Sequence, residues 1–325
     1  MSRINAPISR LDQTAAFLKA AADPLRLLIL RVLASNSYNV AELCQIFSLR
    51  QPALSHHLKL LAHAGLILSR KEGTSAFYRR VPISGELAAL ADALYLTTDR
   101  LGLDDAIQSN VADVYQARAA TAQHFFEVNA TSLREQQDLI ADFGVYGEQV
   151  AEMIDRLGKR RDTALEVGPG RGELLAFLSQ RYQKVQAVDI SSTMLDVARR
   201  TVAQEGIDNV ALIHGDTDHG DIQAADLIVV NMVLHHTPSP ARIFKDLAGH
   251  LSHHGILVVC DLVRHDQSWV KDACGDLWQG FEQEELLGWA QDASLKPVDS
   301  QFFALRNGFQ FQLFTFTTQV GNTDE

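Results

Sequence analysis

From Arg161 onward, five nearly continuous apolar runs, "DTALEV", "KVQAVDI", "VALIH", "DLIVVNMV" and "GILVVCDLV", alternate with stretches of helical spacing such as "GELLAFLSQRY" and "TMLDVARRTVAQEG". Few architectures accept this pattern. A strand apolar on both faces belongs inside a parallel sheet covered by helices on each side. Near the end, "VDSQFFALRNGFQFQLFTFTT" holds two alternating runs around Asn307-Gly308, which is the signature of a hairpin. The last half therefore predicts a doubly wound, Rossmann-like α/β domain, a parallel sheet finished by an antiparallel hairpin. Ligands of such sheets lie at the carboxyl ends of the strands.

The first of these strands runs into "EVGPGRGELL". Its glycines, Gly168, Gly170 and Gly172, are spaced G-x-G-x-G. A dinucleotide fold wants its third glycine at position 173, where this chain has Glu173. An acid there faces a pyrophosphate badly, whereas a ligand ending in an amino acid brings an ammonium and no phosphate. Asp189 closes the next strand, where a carboxylate can accept from ribose hydroxyls. Asp216 closes the third, within reach of an adenine amino group.

This glycine turn with an acid at each of the next two strand ends resembles the class I S-adenosylmethionine-dependent methyltransferase fold, over about Phe125–Thr318 and most clearly from Ala164 to Val263. The resemblance implies S-adenosylmethionine or S-adenosylhomocysteine as ligand. Gly168, Gly170 and Gly172 would hold its methionine part, with Glu166 near the amine. Asp189 would take the ribose and Asp216 the adenine edge, Ile190 and Thr217 would also contact the ligand, and Met194 would pack on the adenosine. Asn231 would stand where the sulfonium meets a methyl acceptor. His235 and His236 follow the fourth strand, either as a catalytic base or as the rim of the pocket. The chain has no Asn-Pro-Pro-aromatic motif of the kind that goes with amino methylation of DNA bases, and Cys260 and Cys274 make a thin case for an arsenic acceptor.

The first third is different. Leu25, Leu28, Ile29, Val32 and Leu33 predict a one-faced helix started by Asp23-Pro24. "NVAELCQIF" predicts a second helix with Val40, Leu43 and Phe47 inward. A third begins at Gln51-Pro52, with Leu54, Leu58 and Leu61 on one side and Ser55, His56, Lys59 and His63 on the other. A polar, mildly basic stripe opposite a leucine anchor suits the DNA major groove. "GLILSRKEGTSAFYRRV" then reads as a hairpin with basic residues on both arms, a wing for gripping phosphates. Gln51, Ser55, His56, Lys59, Arg70, Lys71 and Arg79 are the expected DNA contacts.

These elements resemble the ArsR family of winged helix-turn-helix repressors over Asp12–Pro82. The resemblance implies a homodimer that releases double-stranded operator DNA when an effector binds. Many members sense metals through a Cys-x-Cys pair in the helix before the recognition helix. Here "ELCQIF" keeps Cys44 but places Ile46 at the second position, and one thiolate cannot assemble a soft-metal site. Cys44 is expected in the core, and no metal site is expected. Leu87, Leu90, Ala91, Leu94 and Leu101 continue at helical spacing, either as a dimer seam, the favoured reading, or as packing within the domain.

The net charge of −11 argues against nucleic acid only on average, because Phe47–Val81 carries six basic residues against the single acid Glu72. Three scattered cysteines fit a reducing cytoplasm, and there is no membrane-length apolar run or secretory leader. The expected domains are 1–103 (winged helix and dimerisation), 104–160 (helical connector and cap) and 161–325 (ligand binding). Together they predict a transcriptional regulator, a repressor of methionine or methyl-cycle genes, with an adenosyl compound as effector. The alternative is an active small-molecule methyltransferase with an appended winged helix.

Overall fold

The computed structural model describes residues 10–34, 36–73, 75–81, 83–129, 140–157 and 162–318. It divides into two compact units, Met1–Ala117 and Arg118–Glu325.

The first unit contains α1 (Arg10–Ala21), α2 (Pro24–Val32), α3 (Val40–Phe47), α4 (Gln51–His63) and α5 (Ala88–Asp99). Its small sheet has the order β1-β3-β2, with β1 Tyr38–Asn39, β2 Ile67–Glu72 and β3 Ser75–Arg80. Local chemistry sets the helix starts. Asp23 caps α2 by accepting from the Arg26 N–H at 3.0 Å, and Asn39 and Glu42 form a reciprocal capping box on α3. Pro24 and Pro52 occupy first-turn positions, where no N–H is needed. The core joins Phe17, Ile29, Leu30, Leu33, Leu43, Ile46, Leu54, Leu58 and Leu61.

Two inward faces differ from expectation. Leu30 is buried while Leu25 and Leu28 are half-buried, because α2 packs against both α4 and α5. In α3, Ile46 is fully buried and Val40 and Phe47 only partly so. Cys44 lies half-buried at the edge of the core rather than inside it, and burial pushes its thiol up. In α5, Ala91 and Tyr95 pack into the unit's own core, and the Tyr95 hydroxyl donates to the Leu66 and Val81 carbonyls, both at 3.0 Å. Leu90 and Leu94 are half-buried, and Leu101 is exposed.

The second unit is built on a seven-stranded sheet, order β6-β5-β4-β7-β8-β10-β9. The strands are β4 (Thr163–Val167), β5 (Lys184–Asp189), β6 (Val210–His214), β7 (Ala225–Asn231), β8 (Leu251–Leu262), β9 (Leu295–Ala304) and β10 (Gln310–Thr318). Strands β4 to β8 pair in parallel, and β10 runs antiparallel to both β8 and β9. The strand order reverses at β4, whose neighbours are β5 and β7, so a crevice opens at their carboxyl ends.

Among its described residues, the expected connector has no core of its own. Its long helix α6 (Asp105–Asn129) gives Ile107 and Val114 to the first unit's core, and the division of the chain falls within it. Its second helix, α7 (Phe143–Arg156), gives Tyr146, Val150, Met153 and Ile154 to the core of the second. Apolar faces on both helices had to be buried somewhere, and the two larger cores take them. Residues 130–139 of the expected cap lie outside the described residues.

Candidate functional site

The loop from β4 into the short helix α8 (Glu173–Ser179) carries Gly168, Gly170 and Gly172, with φ of +64°, +53° and +80°. All three are left-handed, a conformation that costs an L side chain about 1–2 kcal/mol. A Cβ on Gly168 would also stand 2.6 Å from Cγ2 of Val233, which lies just beyond β7, while one on Gly170 would meet open space. The backbone is pinned by Gly168 N–H to the Val188 carbonyl (2.8 Å) and Gly172 N–H to the Pro169 carbonyl (2.7 Å).

Glu166, in β4, is buried, and its Oε2 has no hydrogen-bond partner. Burial pushes its carboxyl up to about 8, helped by the charges of Glu173 and Asp189. Asp189 ends β5 half-buried, and the surrounding protein raises it to about 6 although Oδ1 accepts the Ser191 N–H at 2.8 Å. Asn231 ends β7 with a buried Oδ1 that accepts no hydrogen bond. The next residue, Met232, is held at φ +57°, a strained setting of the kind found at functional sites. Two buried acceptors without a hydrogen bond, Glu166 Oε2 and Asn231 Oδ1, make these strand ends a place for a cation that donates hydrogen bonds, as an ammonium does.

The side expected to meet an adenine is more occupied. Asp216 Oδ1 accepts the Thr217 N–H (2.8 Å), and Arg242 lies 3.7 Å from Oδ2. The Thr217 hydroxyl donates to Asp246 Oδ2 at 2.9 Å, so Thr217 acts by holding its neighbours. Ile190 is half-buried beside Asp189, and Met194 is buried on the helix after β5. Tyr146 was absent from the expected site. It comes from α7, its hydroxyl lies near the side chain of Asn231, and burial raises its pKa further above an already high value. Only the amphipathic spacing of α7 hints at it in the sequence.

His235 and His236 form a short turn after β7 and are both buried. Burial opposes a charge on His235, but the carboxylates of Asp261 (2.8 Å from Nδ1) and Asp276 outweigh it and raise its pKa to about 9. Burial and the charge of His235 push His236 well below the ordinary histidine value. Burial likewise lifts Asp276, to about 7. Trp278 donates its Nε1–H to the Thr237 carbonyl at 2.9 Å, and Trp289 packs on Phe244 and Phe281, so both are structural. Cys260 and Cys274 are buried, and neither is in a disulfide.

In the first unit, α4 exposes Gln51, His56, Lys59 and His63, leaves Ser55 half-buried, and anchors itself through Leu54, Leu58 and Leu61. Lys71 is exposed on the hairpin and Arg79 is half-buried. Arg70 departs from expectation. Strand alternation in β2 turns Arg70 and Glu72 to the inner face, where both are buried and form an ion pair. Arg70 is therefore withdrawn from any phosphate-gripping surface. Arg80 is engaged too, forked onto Asp99 at 2.7 and 2.8 Å and lying 4.3 Å from the Tyr95 ring centre.

Fold and sites together define a class of protein, a winged helix-turn-helix unit followed by a methyltransferase-fold unit. Residues 23–69 match the family described as "Bacterial regulatory protein, arsR family", and residues 165–259 match "Methyltransferase domain". An HTH-type transcriptional regulator of Methanocaldococcus jannaschii is 42% identical over 72 residues, covering 22% of this chain and 81% of that one. The biofilm growth-associated repressor of Agrobacterium fabrum is 37% identical over 86 residues, covering 26% and 72%. The chain belongs to the arsR family of bacterial regulatory proteins and carries a methyltransferase domain in addition. The second unit shares its fold with Burkholderia thailandensis 1,6-didemethyltoxoflavin-N1-methyltransferase, a structure with bound S-adenosylhomocysteine (TM-score 0.52, 20% identity, 63% of this chain and 90% of that one). No helix among the described residues is long and apolar enough to cross a membrane.

Proposed function

We propose that this chain is a homodimeric repressor whose methyltransferase-fold unit binds S-adenosylhomocysteine or S-adenosylmethionine as an effector, and that it controls genes of methionine and methyl-group metabolism. The observation that carries the reading is Glu166, a buried carboxylate with an unpartnered oxygen beside three left-handed glycines. An adenosyl amino acid supplies the ammonium this carboxylate lacks. Asp189 would hold the ribose, and Asp216 would meet the adenine edge. On the other unit, Gln51, Ser55, His56 and Lys59 would face bases and phosphates, with Lys71 and Arg79 on the wing. Position 46 is isoleucine, packed in the core, so α3 offers no second thiolate beside Cys44, and on this reading the signal comes from another site.

The test is fluorescence anisotropy of the protein on DNA from its own promoter at fixed salt, titrating each adenosyl compound. A coupling of ~1–3 kcal/mol shifts DNA affinity ~5–150-fold, and DNA must weaken the effector by the same factor. An adenosyl compound that binds the protein and leaves DNA affinity unchanged overturns the sensor reading. A second reading, methyl transfer to a small molecule, is favoured by the buried, unpartnered Nε2 of His236, which can serve as a base. In that case His236→Gln lowers turnover by ~10²–10⁴-fold with adenosyl affinity intact.

A further inference from the structure

The carboxylate of Asp276 is buried, and neither of its oxygens accepts a hydrogen bond. Buried polar groups are almost always satisfied, so this one calls for a physical partner. Two imidazole nitrogens face its Oδ1, His236 Nδ1 at 3.5 Å and His235 Nε2 at 4.0 Å. Both separations exceed a hydrogen bond. They lie near the ~3.3 Å between two donors that each sit ~2.0–2.1 Å from a shared tetrahedral ion. We propose that His235, His236 and Asp276 form a binding site for a divalent transition-metal cation, with Asp261 orienting His235 from behind.

Four observations support the assignment. The His235 Nδ1–H donates to Asp261 Oδ1 at 2.8 Å, which leaves Nε2, facing Asp276, as the nitrogen whose proton a cation would displace. A carboxylate behind a ligating imidazole is the usual outer partner in metal sites. Next, His236 Nδ1 donates only a long hydrogen bond, 3.4 Å, to the Gly275 carbonyl, one that a cation can displace, the imidazole proton then moving to Nε2. Charge gives the third argument. With His235 fully protonated, one positive charge faces the two carboxylates of Asp261 and Asp276, and a negative charge stays buried. A divalent cation in place of the Nε2 proton brings the total to zero.

Lastly, the donors are preorganised. The N–H groups of Leu277 and Trp278 both donate to the His235 carbonyl, at 2.9 and 3.1 Å, and the Trp278 ring N–H donates to Thr237. The turn after β7 and the segment bearing Asp276 are thereby clamped before any ion arrives. Among the described residues, this is the one group of three such donors within 4.8 Å of one another. Two imidazoles and one carboxylate select zinc, iron(II), cobalt(II) or nickel(II) over magnesium or calcium, and leave at least one coordination position for water or a ligand atom. The pair "HH" alone does not reveal the site, because the third donor lies forty residues downstream, from His236 to Asp276.

The test uses the full chain, stripped with a chelator and titrated with cobalt(II) while its visible d–d absorption is followed. The expected result is one equivalent per chain, displaced by zinc. Asp276→Asn and His236→Gln should each weaken cobalt binding by about tenfold or more, and Asp261→Asn by ~10–100-fold, with circular dichroism unchanged. Absence of stoichiometric binding, or folded variants that bind cobalt as the parent does, overturns the proposal. If the variants fail to fold, the zinc X-ray absorption fine structure of the parent protein decides. A shell with two imidazoles and no sulfur supports the site, and a sulfur shell or one without imidazole overturns it.

Discussion

On the proposed reading, Glu166 couples effector binding to the release of a proton. Without ligand its carboxyl titrates near 8, because burial and the neighbouring acids oppose its charge. An ammonium docked against it favours the ionised form, so the pKa falls on binding. Below about 8 the free protein holds a proton that the ligand must displace, and affinity therefore rises with pH and levels off above that value. At pH 6, two units below, only ~1% of the free carboxyl is ionised. Affinity should be ~100-fold below its plateau there, ~2.7 kcal/mol, and ~10-fold below it at pH 7. Asp189, at about 6, adds a second proton only at the acid end. Isothermal titration of S-adenosylhomocysteine in buffers of different ionisation enthalpy counts the protons released, and the expected number at pH 7 is close to one. Glu166→Gln should bind weakly and lose this slope. The same raised pKa works against the ligand-free fold. Its stability falls as pH rises from about 4.5 towards 8, so Glu166→Gln should melt higher than the parent at pH 8. An affinity that stays flat from pH 6 to 8 in the parent protein refutes the argument.

Further predictions follow from the glycine turn and the wing. Gly168→Ala combines a left-handed backbone with a Cβ 2.6 Å from Val233 and should destabilise by ~2–3 kcal/mol in urea unfolding, whereas Gly170→Ala, with open space ahead, should cost only ~1–2. Lys59→Ala and Lys71→Ala should each weaken DNA binding and reduce the slope of log affinity against log salt by about 1, as seen in anisotropy titrations at several salt concentrations. Arg70→Ala should instead cost ~3–5 kcal/mol of stability by stranding Glu72, while Arg70→Ala with Glu72→Ala should recover much of that loss in thermal melts. Asp189→Ala should abolish measurable adenosyl binding and with it any response of the DNA complex, leaving DNA affinity without effector unchanged.

Periodicity and turn chemistry determined much of this protein before any coordinates. The apolar runs from Thr163 to Leu262 could lie only in a covered parallel sheet, and the Asn307-Gly308 signal became the turn between β9 and β10. Glycines spaced two apart after a strand announced a tight loop, and Gly168, Gly170 and Gly172 all have positive φ. The leucine anchor of α4 was equally legible, because helical spacing reports one face directly. What sequence order could not contain is which distant groups meet. Arg70 looked like a wing cation until the pleat of β2 set it beside Glu72 on the buried face. Tyr146 reaches Asn231 from a helix that reads only as a connector. His235 and His236 read as pocket residues until the segment bearing Asp276 packed against them and left its carboxylate without a hydrogen bond. Local spacing encodes the elements and the residues that stand at the strand ends. The protonation of Glu166 and the grouping of His235, His236 and Asp276 depend on burial and on charges far apart in the chain, and those exist only once the sheet and its helices have closed around them.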